Sequence, residues 1–433
     1  MKRKTTRIHL VPNSHIDPVW LWDKYEGIDE VLNTFRSACN RMDEFPDLTF
    51  SASSLQFYEW AMQFDKKLFK RIRARIEEGR WEVCGGWWVE PDTNLPLESS
   101  FLKHADMSAK FAQKHLGGVE MKTAFLPDTF GHPATLPKIL GQTGFKYFVF
   151  CRPGTHEKTD LPANLFHWER DGHRVLAYRL KNHYGQWGWV EPDKIREHFD
   201  DEEYRRQAVN CYFFGVGDHG GGPVIEEINF YKKIMAEHPA GDLAFSTCAR
   251  FFEEAAKGDA IPTYSGDLHR HAIGCYSVQG DIKNAMRNSE LALGQAERAL
   301  QIAGKNTDVL EPAWKTTLFN QFHDILPGSC SPAAAANAKG ELDGVRAFCQ
   351  DATYAALKSV SLKTKPQVRE GEFRIFNTLP YPVTVPLAVE SMVYYREGAA
   401  FRDAKGRLIE IQEVLPSVRA GNRKWEFLDT LPA

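Results

Sequence analysis

The residues best placed to do chemistry sit in V-P-N-S-H-I-D-P-V-W-L-W, Val11 to Trp22, where His15 and Asp17 follow a short apolar run. Two positions apart in an extended segment, their side chains point to the same side. An imidazole and a carboxylate so placed can share one metal ion, and Pro18 turns the chain immediately afterwards. Zinc usually takes three or four protein ligands, so this is half a site and the remaining ligands must come from elsewhere in the chain.

Three further stretches offer candidates. In F-L-P-D-T-F-G-H-P, Phe125 to Pro133, Pro127 and Gly131 fix a tight loop around Asp128; the alternative for Asp128 is a helix N-cap, and His132 can serve merely to brace the loop. In F-G-V-G-D-H-G-G-G-P, Phe214 to Pro223, glycines around Asp218 let backbone approach a ligand closely. A phosphate loop would need Gly-Lys-Ser/Thr, and an acid at its centre would repel phosphate. In F-N-Q-F-H-D-I-L-P-G-S, Phe319 to Ser329, His323 stands at a helix end, where a surface or capping histidine is the ordinary alternative. No two histidines stand four apart, which excludes a zincin protease on ligand spacing.

These residues need elements to position them. Runs of β-formers occur at Arg7–Val11, Leu48–Ala52, Trp81–Cys84, Thr123–Leu126, Lys146–Cys151, Val175–Leu180, Cys211–Val216 and Leu243–Cys248, separated by helical patterns at Asp29–Arg41, Leu55–Glu78, Ser99–His115 and Glu226–Glu237. This is the rhythm of an α/β protein with a parallel sheet or barrel, in which functional groups collect beyond the carboxyl ends of strands. His15, Asp17, Asp128, Arg152 and Asp218 all follow such runs. Beyond Pro262 the patterns Asp281–Gly304, Glu311–Phe322 and Ala333–Val360 read as three helices, and from Phe373 onward the chain alternates as antiparallel strands. About sixty residues are too few for a sandwich of the usual ~100, so a β domain begins here and is cut short. The expected division is 1–260, 261–365 and 366–433.

At 433 residues, with 54 basic and 57 acidic side chains, the chain has a near-neutral, globular composition. No bulk field draws it to nucleic acid or an anionic membrane, and no window approaches a membrane span. The basic stretch Lys66–Arg80 carries Leu68, Phe69, Ile72 and Ile76 at helical spacing and reads as a solvated helix face. The start, M-K-R-K-T-T-R, leads into no apolar signal core, and the eight cysteines are scattered without C-x-x-C. Buried free thiols in a reducing cytoplasm are expected.

Together the four motifs, in their order, resemble glycoside hydrolase family 38, the retaining α-mannosidases, and most closely its cytosolic and bacterial branch. The resemblance extends to C-G-G-W-W-V-E-P-D-T-N-L-P, Cys84 to Pro96, and to Y-S-G-D-L-H-R-H-A-I-G-C-Y-S-V-Q-G-D-I-K, Tyr264 to Lys283. It implies a seven-stranded (β/α) barrel of the glycoside hydrolase/deacetylase type, followed by a three-helix bundle and the start of a β-sandwich region. It implies one Zn2+ held by His15, Asp17, Asp128 and His323, with exchange for another divalent ion open. Asp128 would also be the nucleophile, Asp218 the general acid/base, Trp20 the floor of the mannose site, and Arg152 and Asp324 neighbours of the nucleophile and sugar hydroxyls. The implied substrate is an α-mannoside or mannose-containing oligosaccharide, with association of copies through the β region open. The chain departs from the family pattern at Leu97-Glu98-Ser99-Ser100, Lys103-His104 and Arg270-His271-Ala272-Ile273, differences expected to bear on outer substrate contacts rather than the metal set.

Such a reaction needs two carboxyl groups about 5 Å apart, one ionised and one protonated. A cation on Asp128, helped by Arg152, would hold it ionised, while Asp218 keeps its proton away from that charge. Two other classes stand beside this one. A metal-dependent polysaccharide deacetylase would share the His/Asp site but wants paired histidines with four-residue spacing. A non-catalytic sugar-binding fragment would fit the shortened β domain.

Overall fold

The computed structural model describes residues 7–185, 208–217, 219–237, 242–258, 260–364, 373–384, 387–391, 400–414 and 423–427. The chain divides into two compact units, Met1–Leu293 with Asp308–Gln350, and Gly294–Thr307 with Asp351–Ala433.

The first unit is α/β. Its strands are β1 (Arg7–Pro12), β2 (Phe50–Ala52), β3 (Trp81–Val83), β4 (Thr123–Leu126), β5 (Tyr147–Phe150), β6 (Leu165–Arg170), β7 (His173–Arg179), β8 (Val209–Phe214), β9 (Leu243–Phe245) and the short β10 (Thr263–Tyr264). Helices α1 (Lys24–Glu44), α2 (Leu55–Phe64), α3 (Lys66–Glu77), α4 (Glu98–His115), α5 (Leu136–Gln142), α6 (Ile225–Glu237) and α7 (Cys248–Ala255) fall between them. β1 pairs in parallel with both β8 and β9, β2 with β3, and β5 with both β4 and β7. Single contacts link these groups: a parallel bridge between Asn13 and Ser51, the Gly85 N–H to the Thr123 carbonyl at 3.0 Å, and the Tyr178 hydroxyl to the Cys211 carbonyl at 3.3 Å.

Two local differences from the sequence reading have clear causes. The pattern over Leu55–Glu78 breaks at Asp65, whose carboxylate accepts from the Leu68 N–H at 2.9 Å and so starts α3 as a separate helix. β6 falls where the sequence reading assigned no element, between Lys146–Cys151 and Val175–Leu180; it runs antiparallel to β7 through Asp171-Gly172, both at positive φ, the Asp-Gly signature of a tight hairpin. The basic stretch behaves as expected: Leu68, Phe69 and Ile72 are buried, while Arg71 and Arg75 pair with Asp43 at the surface.

The parallel strands are buried on both faces, and their period of two sorts side chains into separate clusters. Phe125, Val149 and Tyr178 enter one core with Phe213 and Phe251; Ala124, Leu126, Phe148, Phe150 and Ala177 enter another with Trp87 and Trp168. Trp168 is fully buried, stacks on Phe148 with ring centres 5.5 Å apart, and donates its indole N–H to the Gly266 carbonyl at 2.9 Å. Trp168→Ala is therefore expected to cost about 3–5 kcal/mol, read as a lowered urea midpoint with little change in slope. All eight cysteines are free, and seven are buried.

Helices α8 (Gly280–Ile302), α9 (Glu311–Phe319) and α10 (Pro332–Thr364) follow. α9 stops three residues short of the expected end, because Gln321 to His323 leave the helix to pair with Glu90 to Asp92. Among the described residues, no helix is long and apolar enough to cross a membrane.

In the second unit, β12 (Phe401–Arg402) and β13 (Leu408–Ile409) form a hairpin, and β15 (Arg423–Phe427) pairs antiparallel with β11 (Leu387–Ser391) and β14 (Ile411–Val414). The expected turn at Asp403–Gly406 is present, with Asp403 accepting from the Lys405 and Arg407 N–H groups at 2.9 Å. Phe373–Asn377 forms no strand; the Asn377 side chain instead bonds the Leu379 N–H and the Tyr381 carbonyl, a local turn that competes with ladder formation.

Candidate metal centre and active site

Four of the side chains singled out in the sequence converge although 308 residues separate the first from the last. His15 and Asp17 follow β1, Asp128 follows β4, and His323 follows α9; one ligand atom from each lies within 4.8 Å of all the others, and all four residues are buried. His15 Nε2 is 2.9 Å from Asp17 Oδ1 and 4.0 Å from Asp128 Oδ2, while His323 Nε2 is 3.5 Å from Asp17 and 3.3 Å from Asp128.

The donor set fits a cation. Each imidazole is held through its other nitrogen: His15 Nδ1 lies 3.1 Å from the Glu90 carboxylate, and His323 Nδ1 faces the Glu90 carbonyl at 3.4 Å. That leaves both Nε2 atoms aimed into the cluster, the arrangement of metal-bound histidines whose second nitrogen is anchored. The Nε2 of His323 is buried and makes no aligned hydrogen bond among the described residues. Asp17, Glu90 and Asp128 bring three buried carboxylates against one guanidinium, from Arg152, so the balance of positive charge falls to the two imidazoles or to a cation they hold. Burial alone would lower the pKa of both histidines. Asp17 and Glu90 around His15, and Glu90, Asp128 and Asp17 around His323, override it and hold both well above the ordinary value, a measure of how strongly this cluster attracts a cation.

Asp128 sits at the sheet end, not as a helix cap. Burial would raise its pKa, but His323, His15 and Arg152 together hold it far below the usual carboxylate range. Arg152, directly after β5, donates its Nε–H to Asp128 Oδ1. Asp324 accepts from the Ser329 hydroxyl, and its pKa is pushed up to about 7 by burial, opposed by His323 and reinforced by Asp17 and Asp128. Trp20 is half-buried in the loop after Asp17, its ring centre 5.6 Å from that of Trp22.

Asp218 lies outside the described residues; the residues that follow it are tied to the N-terminal part of the chain. His219 bridges Ile16, between the first two metal-site residues, and the Gly221 N–H reaches Thr34 Oγ1 at 2.8 Å. Gly215, at φ +125°, is required where it stands, since a Cβ would run into the Asn13 carbonyl.

A glycosyl hydrolases family 38 N-terminal domain matches residues 5–267, and an alpha mannosidase middle domain matches residues 268–360. The chain belongs to glycosyl hydrolase family 38. It is 29% identical to the alpha-mannosidase of Saccharomyces cerevisiae over 357 residues, 75% of this chain and 32% of that protein. It is 28% identical to the human alpha-mannosidase 2C1 over 405 residues, 91% of this chain and 38% of that protein. The chain thus spans about a third of the length of the curated relatives it matches. An alpha-mannosidase structure from Enterococcus faecalis V583 superposes with a TM-score of 0.74 at 14% identity, covering 98% of this chain and 54% of that one. The α/β fold is therefore that of a family of glycoside-hydrolysing enzymes.

Against that family pattern, two of the three departures turn out to be internal braces. Ser100 donates to Glu290 at 2.6 Å, and His104, fully buried, receives the Trp88 N–H at 3.2 Å and meets Gln321 at 3.1 Å. They fasten α4 to α8 and to the segment after α9 that carries His323.

Sequence reasoning missed Glu90 as a working residue. Its Oε1 accepts the Asp128 and Thr129 N–H groups at 2.8 and 3.1 Å, its Oε2 holds His15, and its carbonyl accepts the His323 N–H at 3.2 Å. The only signal was its place in the Cys84–Pro96 stretch. Glu90→Gln keeps the volume but weakens its grip on His15, and is expected to lower metal affinity 10–100-fold in competition titrations against a chelating dye, with the fold retained.

Proposed function

We propose that this chain is the catalytic portion of a zinc-dependent, retaining exo-α-mannosidase that hydrolyses terminal α-linked mannose through a covalent glycosyl-aspartate. The observation that carries the reading is the convergence of His15, Asp17, Asp128 and His323, two imidazoles and two carboxylates, within one buried cluster. When bound by these four residues, Zn2+ supplies Lewis-acid chemistry that polarises and orients sugar hydroxyls.

The rest belongs to the chain's own residues. Asp128, kept ionised by its neighbours and aimed by Arg152 and by Glu90's hold on its N–H, attacks the anomeric carbon. Asp218 gives a proton to the departing glycosidic oxygen, then takes one from the water that releases the sugar from Asp128. Trp20 offers its ring to an apolar sugar face, and Asp324 accepts or donates to a hydroxyl.

In this reading residues 1–260 close as the seven-stranded barrel, 261–365 form the three-helix bundle, and 366–433 begin a β-rich domain; the family matches at 5–267 and 268–360 support the first boundary. The enzyme works in the cytoplasm, in keeping with seven buried free thiols. It acts on mannose-containing oligosaccharides rather than nucleic acid or membranes.

The test is hydrolysis of an aryl α-mannoside by the wild-type chain, with product stereochemistry followed by NMR and Asp218→Asn beside it. Retention with a loss of about 10²–10⁴-fold in the variant supports the roles. Inversion, or an Asp218→Asn rate within a few fold of wild type, removes the covalent mechanism or the acid.

A further inference from the structure

Beyond the four-residue cluster, a second line of polar contacts runs from Asp128 to the loop after β5. Arg152 uses Nε on Asp128 and its Nη1 on His271, whose Nε2 lies 3.0 Å away. His271 Nδ1 in turn lies 2.7 Å from Glu157 Oε1, and Glu157 Oε2 accepts the Gly154 N–H at 2.7 Å. Arg152 comes from the end of β5, Glu157 from the loop beyond it, and His271 from the stretch before α8. The ring of Phe130 lies between this line and the metal cluster, its centre 5.6 Å from that of His271 and 5.7 Å from that of His323.

Donor and acceptor rules fix the direction of this line. A guanidinium can only donate, so His271 Nε2 must accept from Arg152, and the ring proton therefore sits on Nδ1, where it is donated to Glu157. Two hydrogen bonds on different nitrogens of one planar group fix its plane as well as its position. The Arg152 side chain is a quarter exposed, and without the second bond it would be free to swing toward solvent. His271 also lies between two non-glycine residues in left-handed backbone, Arg270 at φ +88° and Ala272 at φ +44°. Such outliers persist where their surroundings over-determine them. This is also the third departure from the family pattern, the one not accounted for as an internal brace.

We infer that His271, backed by Glu157, is a positioning residue for the nucleophile: it holds the Arg152 guanidinium in the plane that aims and keeps ionised the Asp128 carboxylate. It touches neither Asp128 nor the four-residue cluster directly, so its loss is felt in turnover rather than in metal content. The kinetic part of the inference rests on the mannosidase reading; the hydrogen-bond part does not.

The experiment has two arms. In the wild-type chain, ¹⁵N NMR of labelled histidine, assigned with His271→Gln, is expected to show His271 as the Nδ1–H tautomer at neutral pH. An Nε2–H tautomer or an imidazolium overturns the inference whether or not the chain hydrolyses mannosides. In the kinetic arm, His271→Ala is expected to lower kcat on the order of 10²-fold, with KM changed less than about threefold and metal content unchanged by mass spectrometry. His271→Gln, which can accept from Arg152 and donate to Glu157, recovers most of the rate. The double variant His271→Ala with Arg152→Ala loses no more than Arg152→Ala alone, because both changes break one line. Multiplying losses, a rise in KM alone, or a Gln variant as slow as Ala overturns the inference. A wild-type chain that turns over no α-mannoside strikes the proposed function instead and leaves the NMR arm to decide on His271.

Discussion

Asp128→Asn is expected to lower kcat/KM on an aryl α-mannoside by about 10⁴-fold or more, the scale seen when a covalent nucleophile is removed. The substitution keeps the shape of the side chain but removes the charge that, in the proposed mechanism, attacks the anomeric carbon. A 10⁴-fold loss corresponds to about 5 kcal/mol of transition-state stabilisation. The neighbourhood explains why nothing else takes over. Asp128 is the carboxylate shared by the Arg152 Nε–H and the two imidazoles, with His323 Nε2 at 3.3 Å and His15 Nε2 at 4.0 Å. Asp17, the other carboxylate of the cluster, stands on the same segment as His15 and faces it at 2.9 Å. The variant should fold, since the Asp128 and Thr129 N–H groups that fasten this loop to Glu90 are backbone groups and survive the change. Circular dichroism and steady-state kinetics, with metal content measured on the same sample, check the outcome. A rise in KM with kcat intact would make Asp128 a binding residue and not the nucleophile.

Removing the metal is expected to be the second large effect. Dialysis against a strong chelator should abolish turnover and lower the melting temperature, and Zn2+ should restore both. A ligand at a thousandfold excess over its Kd stabilises the folded state by about 4 kcal/mol, which this chain loses on stripping. At about 2–4 °C per kcal/mol for domains of ~150–250 residues, the shift is readily seen by calorimetry. The physical cause is the gathering of Asp17 and Asp128, with Glu90 behind them, around two buried imidazoles whose Nε2 atoms face the same point. His323→Ala, which deletes one ligand and leaves a pocket where a fully buried ring stood, should mimic stripping without rescue by added Zn2+. Full activity in a sample carrying almost no metal, or a melting temperature indifferent to chelator, would remove the metal from the proposal.

Much of the architecture could be read directly from the residues because it is written in short-range periodicity. The alternation in β4, β5 and β7, the apolar stripe of α3 and the turn at Asp403–Gly406 each depend on neighbours within one element. The break at Asp65 and the Asp171-Gly172 hairpin were equally local and were passed over: the capping aspartate sits inside a continuous helical pattern, and β6, L-F-H-W-E-R, mixes polar with apolar residues and does not stand out as a run of β-formers.

The sequence by itself singled out candidates: His15, Asp17, Asp128 and His323 are ligand types at strand and helix ends, and the family resemblance joined them into one set before any fold was known. What only the tertiary structure decided is who orients them. Glu90 reaches His15, Asp128 and His323 across separations of 75, 38 and 233 residues, and His271 reaches Arg152 across 119. Neither has a spacing that local pattern could reveal, because a carboxylate or an imidazole becomes a positioning group only when a packed core removes water and leaves it one set of partners.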